Sequence, residues 1–208
     1  MIEVLTSNTP NGKKITIMLE EIGFDYKITK INIKKDEQFK PEFQKLSPFR
    51  KIPVLIDHGS NVSLFESGAI LIYLAEKSGK FYDKSKRTVI NQWLMGQMAY
   101  VGPMLGQHHQ FHHYNPGKSK FGEERYFKIC ERIYLELDLR LEKSKFLAYD
   151  DYTIADIATF PWIARHEWHD IGLKKFKNLS RWYLEIASRS KVKSGYDLLK
   201  KGETIPEI

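Results

Sequence analysis

Three short stretches carry residues whose types and spacing could do chemistry. The first is Asn8-Thr9-Pro10-Asn11, which closes an apolar run (Ile2–Thr6) and opens a pattern that sets Ile15, Met18, Leu19 and Ile22 on one helical face. Threonine is a favoured N-cap, and proline at the first helical position loses nothing because its amide would have no partner anyway. Capping alone accounts for these residues. A helix that starts at the C-terminal edge of a first strand also lies where open α/β sheets bind ligands, and its free amides and positive dipole end favour an anion. A thiolate would be stabilised there, as thiols at helix N-termini are. No cysteine is nearby, the only one being Cys130, so any thiolate at this helix start arrives with a ligand.

The second stretch is Glu66-Ser67, between the short run Leu64-Phe65 and another helical pattern. Serine is again a natural cap. Its hydroxyl and amide could also receive a carboxylate while Glu66 pairs with an ammonium, which together suit the amino-acid end of a small zwitterion. Ile52-Pro53 precedes the apolar run that begins at Val54. X–Pro bonds are trans by default. A tight cis turn here would present the Ile52 amide and carbonyl at a sheet end, where an extended peptide could pair with them as an added strand.

The third is Gln107-His108-His109-Gln110-Phe111-His112-His113, with two histidine pairs at i, i+4 spacing. Such a pair could chelate a metal, but no carboxylate lies in the segment and no HExxH pattern forms, so no metal site is expected. Histidines and aromatics lining a substrate cleft, or a wet helix end, are the expected reading. Cys130 falls within the helical pattern Tyr126, Ile129, Ile133, Tyr134, Leu137 and reads as a small core residue, not a nucleophile.

The elements that must position these residues follow from periodicity. The first 80 residues read strand (Ile2–Thr6), helix (Asn11–Ile22), strand (Tyr26–Ile33), short helix (Glu42–Leu46), strand (Val54–Asp57), strand (Ser63–Phe65) and helix (Ala69–Lys77), with Gly79 at its C-terminal end. A right-handed crossover makes the first two strands parallel, and the last two form a hairpin around His58-Gly59-Ser60-Asn61. Beyond a polar connector only helical patterns remain: Thr88–Tyr114, bent at Gly102-Pro103, then Phe121–Lys143, Thr153–Asp170, Leu179–Ser190 and Lys193–Lys201. The expected organisation is an α/β domain over 1–80, a linker over 81–85 and an all-α domain over 86–208. Thr153-Ile154-Ala155-Asp156 has the form of a capping box, a structural device.

Composition narrows the class. The chain has 208 residues, 42% hydrophobic, with 12 Phe, 11 Tyr and 4 Trp, enough for a real core and against wholesale disorder. One cysteine excludes an intrachain disulfide framework. The longest apolar run, Ala69–Ala75, falls far short of the ~20 residues that cross a bilayer, and the N-terminus lacks the features of a signal peptide, so a cytoplasmic protein is expected. The net charge of +7 comes from 33 basic and 26 acidic residues, but 25 of the basic ones are lysines in scattered pairs. Nucleic-acid recognition favours clustered arginine, and no nucleic-acid-binding signature accompanies the charge. A solvated surface is the reading, with neither nucleic acid nor membrane as partner.

The segments Thr9–Glu21, Gln38–Phe43, Lys51–Leu55 and Ser63–Gly79, followed by Gly102–Gln107, Glu124–Tyr126 and Tyr152–Trp162, resemble a cytosolic glutathione transferase in order and spacing over nearly the whole chain. The likeness is greatest to the bacterial nu class, whose members are glutathione-dependent disulfide-bond reductases. The resemblance implies a thioredoxin-like first domain, an all-α second domain, glutathione as co-substrate without a metal, and a homodimer. It implies a cis Pro53, with Ile52 pairing with the cysteinyl backbone of glutathione. Glu66 and Ser67 would hold the γ-glutamyl end, and Asn11, Gln38 and Lys51 the tripeptide or a second glutathione. Arg125 would meet a glutathione carboxylate. Thr9 and Asn11 stand where other classes carry the thiol-activating residue, and Gln107, His108 and Phe111 would line the second-substrate pocket. Phe49-Arg50 replaces a commonly polar pair, and the histidine segment is richer in histidine than the family's. The implied activity is reduction of small disulfides. Conjugation to small electrophiles is the alternative enzyme reading, and a non-catalytic binding or regulatory role the third.

Overall fold

A computed structural model describes residues 1–208. Its four strands are β1 (Ile2–Thr6), β2 (Tyr26–Lys30), β3 (Val54–Asp57) and β4 (Val62–Phe65), in the sheet order β2-β1-β3-β4. As expected from the crossover, β1 and β2 are parallel, while β3 runs antiparallel to both β1 and β4. Strand β2 ends earlier than its alternating pattern suggested. The Asn32 side chain accepts the amides of Lys34 and Lys35 and turns the chain into a 3-10 turn. Helices α1 (Pro10–Ile22), α2 (Pro41–Leu46) and α3 (Ser67–Ser78) complete the α/β layer, and α1 and α3 end on Gly23 and Gly79 in left-handed conformation. Ile15, Met18, Leu19, Ile70, Leu71 and Leu74 are buried with Val4, Val54 and Leu55 of the sheet. The hairpin is pinned by Asp57, which accepts Gly59 N and the Tyr73 hydroxyl and pairs with Lys77 at 2.9 Å. Those contacts, that with Lys77 first, hold its carboxyl well below the usual range.

The chain divides into two units: Met1–Tyr82 with Arg189–Thr204, and Asp83–Ser188 with Ile205–Ile208. The main boundary falls inside the stretch read as a linker. The last helix does not follow the expected 86–208 grouping. It spans Ser190–Asp197, shorter than Lys193–Lys201 implied, and packs on α1. Gly195 permits this, since a Cβ there would sit 2.5 Å from Ile17 Cα, and Thr16 Oγ1 donates to Gly195 O at 2.7 Å. This terminal helix is α10.

The second unit is helical. A continuous helical run comprises α4 (Arg87–Gly96), a wide π-type turn (Gln97–Val101), α5 (Gly102–His108) and a second π-type turn (His109–His113). The expected bend at Gly102-Pro103 takes the form of that first wide turn, which absorbs the hydrogen bond that proline cannot donate. Next come α6 (Lys120–Glu142), α7 (Ile154–Ile163), α8 (His166–His169) and α9 (Lys177–Ser188). The single helix expected over 153–170 is broken: α7 ends at Ala164, and Asp170 closes α8 at φ 55°. The capping box is present. Asp156 accepts Thr153 N, Leu147 N and Trp182 Nε1 at 2.9–3.0 Å with its carboxylate fully buried. Cys130 is wholly buried, and burial pushes its thiol up to about 12, which removes it as a nucleophile.

Candidate functional site

Sheet register gathers the N-terminal candidates at one edge. Leu5 is paired with Val54, and Val54 with Phe65. The exit from β1 (Ser7–Asn11), the entry to β3 (Lys51–Pro53) and the exit from β4 (Glu66-Ser67) therefore leave the same end of the sheet. The Gln38 segment follows the C-terminal end of β2, whose Lys30 is paired with Thr6 at that end.

Thr9 caps α1 as expected, with an extended backbone and Pro10 at the first helical position. Its Oγ1 accepts Gly12 N at 3.1 Å. A hydroxyl offers one donor and two lone pairs, so this cap occupies a lone pair and leaves the O–H available to another acceptor. No acidic residue lies in the first turn to neutralise the dipole. The result is a donor and a positive helix end at one point, with no nucleophile of the protein's own.

Glu66 occupies the cap position of α3, and Ser67 is the first helical residue, not the cap. Glu66 has φ 71°, ψ 114°, a backbone shape that costs a non-glycine residue roughly 1–3 kcal/mol and collects at functional sites. Its exposed carboxylate makes no hydrogen bond or ion pair within the chain, whereas Ser67 is buried. The Ile52–Pro53 bond is cis, and Ile52 contributes neither main-chain group to the sheet or to a turn. Ser47 Oγ takes Lys51 N at 3.0 Å and donates to Lys51 O at 2.8 Å, which fixes the loop while the Lys51 side chain stays exposed. Gln38 Nε2 donates to Ile33 O at 3.4 Å, and its Oε1 is buried without a partner. Phe49 is exposed, and Arg50, at φ 54°, donates to Gln44 Oε1.

Lys14 was missed by sequence reasoning. Its Nζ donates to Ser67 Oγ at 3.3 Å from a fully buried position. Burial lowers its pKa well below the usual lysine value, and the Glu66 carboxylate acts in the opposite direction. A lysine amid the apolar stripe of α1 was the available signal. Asn8, part of the stretch that opens α1 but given no role of its own, donates its side-chain amide to Glu203 Oε2 at 2.9 Å.

Arg125, Gln107, His108 and Phe111 lie in the second unit. Arg125 is exposed on α6 with no ion pair, Gln107 is exposed, and Phe111 stacks on Tyr126 at 5.3 Å. His108 differs from expectation: it has no exposed surface, because its Nε2 bonds His169 O at 3.0 Å and its ring stacks on His112. It is a packing residue with no face for a substrate. His109 stacks on His169, whose Nδ1 meets the Tyr134 hydroxyl at 2.6 Å. No group of three or more His, Cys, Asp or Glu side chains is arranged to hold a metal ion. No helix is long and apolar enough to cross a membrane.

The glutathione S-transferase N-terminal domain model matches residues 5–76, and the C-terminal domain model residues 109–190. The chain is 43% identical over 207 residues to disulfide-bond oxidoreductase YfcG of Escherichia coli, an alignment covering 96% of this chain and 95% of that protein. The chain belongs to the glutathione S-transferase family. Among solved structures, this glutathione S-transferase resembles one from Burkholderia graminis with two glutathione molecules bound per subunit (TM-score 0.91, 37% identity, covering 97% of this chain and 89% of that one). It also resembles one from Pseudomonas putida with one glutathione disulfide bound per subunit (TM-score 0.89, 38% identity, covering 97% and 92%). The expected thioredoxin-like layer followed by helices is thus the architecture of the family.

Proposed function

We propose that this glutathione S-transferase is a glutathione-dependent disulfide-bond oxidoreductase. The observation that carries the reading is the Thr9 hydroxyl, which caps α1 with one lone pair at a helix start without acidic residues in its first turn, in a chain whose only cysteine is buried. The sulfur then belongs to glutathione. Thr9 donates to its thiolate, and the first turn of α1, with Asn11, supplies the positive end of the dipole. Ile52 pairs with the cysteinyl main chain, Glu66 with the γ-glutamyl ammonium, and Ser67 with its carboxylate. Gln38 and Lys51 meet the remaining charges, including those of a second glutathione.

The bound thiolate attacks one sulfur of a small disulfide, forms a mixed disulfide and expels a thiolate that takes a proton from solvent. A second glutathione thiolate attacks the glutathione sulfur of the mixed disulfide. Oxidised glutathione and the second substrate thiol leave, so two glutathiones are oxidised as one disulfide is reduced. The name of the Escherichia coli relative and the two ligand states of the solved neighbours support this sequence of steps. Glutathione is kept reduced in the cytoplasm, which is the compartment the reaction requires. Exposed Leu135 and Leu139 on α6 and Met95 and Tyr100 on the preceding helical run support assembly as a homodimer, which light scattering after size exclusion tests.

The deciding assay is reduction of 2-hydroxyethyl disulfide coupled to glutathione reductase. Turnover that saturates in glutathione is expected. Folded protein without turnover overturns the reading. Because conjugation uses the same thiolate, rates with chlorodinitrobenzene far above those with the disulfide would assign the chain to transferase chemistry. Absence of glutathione binding in calorimetry would leave a non-catalytic role.

A further inference from the structure

The C-terminal segment beyond α10 is tied to the loop that carries Thr9. Asp197 accepts the amides of Gly202 and Glu203, and Gly202 turns the chain at φ 84°. This turn delivers the Glu203 carboxylate to two partners. Lys13 Nζ lies 2.8 Å from Glu203 Oε2, donates to Tyr196 O at 2.6 Å and sits 3.5 Å from the centre of the Tyr196 ring, with no exposed surface. Asn8 Nδ2 donates to the same carboxylate oxygen at 2.9 Å. A carboxylate only accepts, so the Asn8 amide is held in one orientation.

Asn8 is the middle residue of a three-residue turn closed by Thr9 N donating to Ser7 O at 2.8 Å. Its side chain is the hold that the strap has on that turn. The strap also runs against the first turn of α1, where a Cβ on Gly12 would lie 3.1 Å from Leu199 Cδ1. Gly12 is the residue whose amide Thr9 caps. The residue before Thr9 and the residue whose amide it caps thus each have a neighbour in the C-terminal segment.

We propose that Glu203 is a positioning residue for the thiol site, acting through Asn8 to fix the Ser7–Thr9 turn and with it the Thr9 hydroxyl. This rests on the glutathione reading above. Glu203 need not touch the ligand. Its effect is geometric, and misplacement of a reacting group by about 1 Å can cost on the order of 100-fold in rate. The Lys13 contact is a separate matter of stability, since a buried ammonium needs its counter-charge.

The two roles separate in a double-mutant cycle with Glu203→Gln, Asn8→Ala and both together, assayed with glutathione and 2-hydroxyethyl disulfide. Glu203→Gln should lower kcat about 5- to 10-fold, leave KM for glutathione within about twofold, and move the acidic limb of the kcat profile to higher pH. The double variant should be no slower than Asn8→Ala alone. A Glu203→Gln protein with a lower melting temperature but unchanged kcat and pH profile would overturn the proposal, as would effects that multiply in the double variant. Should Glu203→Gln not fold, Asn8→Ala, which leaves the Lys13–Glu203 pair in place, must show the same fall and pH shift, and an unchanged profile there overturns it equally. Absence of turnover by the wild type would remove the proposed function and this inference with it, an outcome distinct from an active wild type that is indifferent to Glu203.

Discussion

The Nζ of Lys14 lies 3.3 Å from the hydroxyl of Ser67, and both side chains are buried. Burial favours the neutral amine of Lys14, and a carboxylate arriving at Ser67, as proposed for the γ-glutamyl end, would favour its ammonium and turn a neutral contact into a charge-assisted one. Charge-assisted contacts are roughly twice as strong as neutral ones. Lys14→Met should therefore raise the Kd for glutathione by about tenfold, near 1.4 kcal/mol. Titration calorimetry checks this, and the decisive comparison is with an analogue whose γ-glutamyl group lacks its α-carboxylate. The wild type should discriminate between the two ligands more strongly than the variant does. Equal discrimination would remove Lys14 from the site.

Thr9 combines a cap and an available donor in one hydroxyl. Thr9→Ala loses both, at a cost of about 1 kcal/mol in stability for the cap. Loss of a single donor to developing negative charge lowers kcat by roughly 100- to 1,000-fold in oxyanion-type sites. Thr9→Ser keeps the oxygen and should restore most of the rate. Thermal melts and the coupled disulfide assay separate the two losses. A Thr9→Ala enzyme at full speed would show that the helix dipole suffices.

The second unit buries histidines that are kept neutral. Burial pushes His109 down to about 3 and His169 well below the usual imidazole value, with His108 and His166 lowered by the same cause. The unfolded chain takes up protons near pH 6.5, which the folded chain refuses. Stability is therefore full above pH 6.5 and falls as the pH drops from 6.5 towards 3. Each histidine that stays neutral should remove about 2 kcal/mol between pH 7.5 and 5. Urea unfolding at the two pH values measures it. A flat profile would mean that these side chains titrate normally.

Asp156 meets Leu147 N and Trp182 Nε1 with one oxygen and Thr153 N and Oγ1 with the other. Asp156→Ala leaves buried donors unmatched at about 1–3 kcal/mol each, and should lower unfolding stability by several kcal/mol. Asp156→Asn should also destabilise, because its amide presents hydrogens to donors. Unfolding curves for the two variants provide the check. Native-like stability of Asp156→Asn would show that the carboxyl is already protonated in the fold.

Much of this was legible in the chain itself. The apolar run Ile2–Thr6, the Thr9-Pro10 start and the Gly79 stop depend on neighbours a few residues apart, so local pattern determined β1, α1, α3 and the sheet direction. Glu66 and Ser67 were readable as a pair, although their positions at the cap were interchanged. His108 was not readable, since an imidazole in a helical pattern gives no sign of whether His169 O will be there to bury it.

The sequence by itself settled the family likeness, the layer of strands and helices, and a helix start fit for a sulfur that the chain does not supply. Tertiary structure alone decided that α10 returns to the first unit, that Lys13 and Lys14 are buried, and that Glu203 reaches Asn8 across 195 residues of chain. The reason is physical: periodicity is set by adjacent residues, whereas a buried charge is tolerated only beside a partner that folding brings to it.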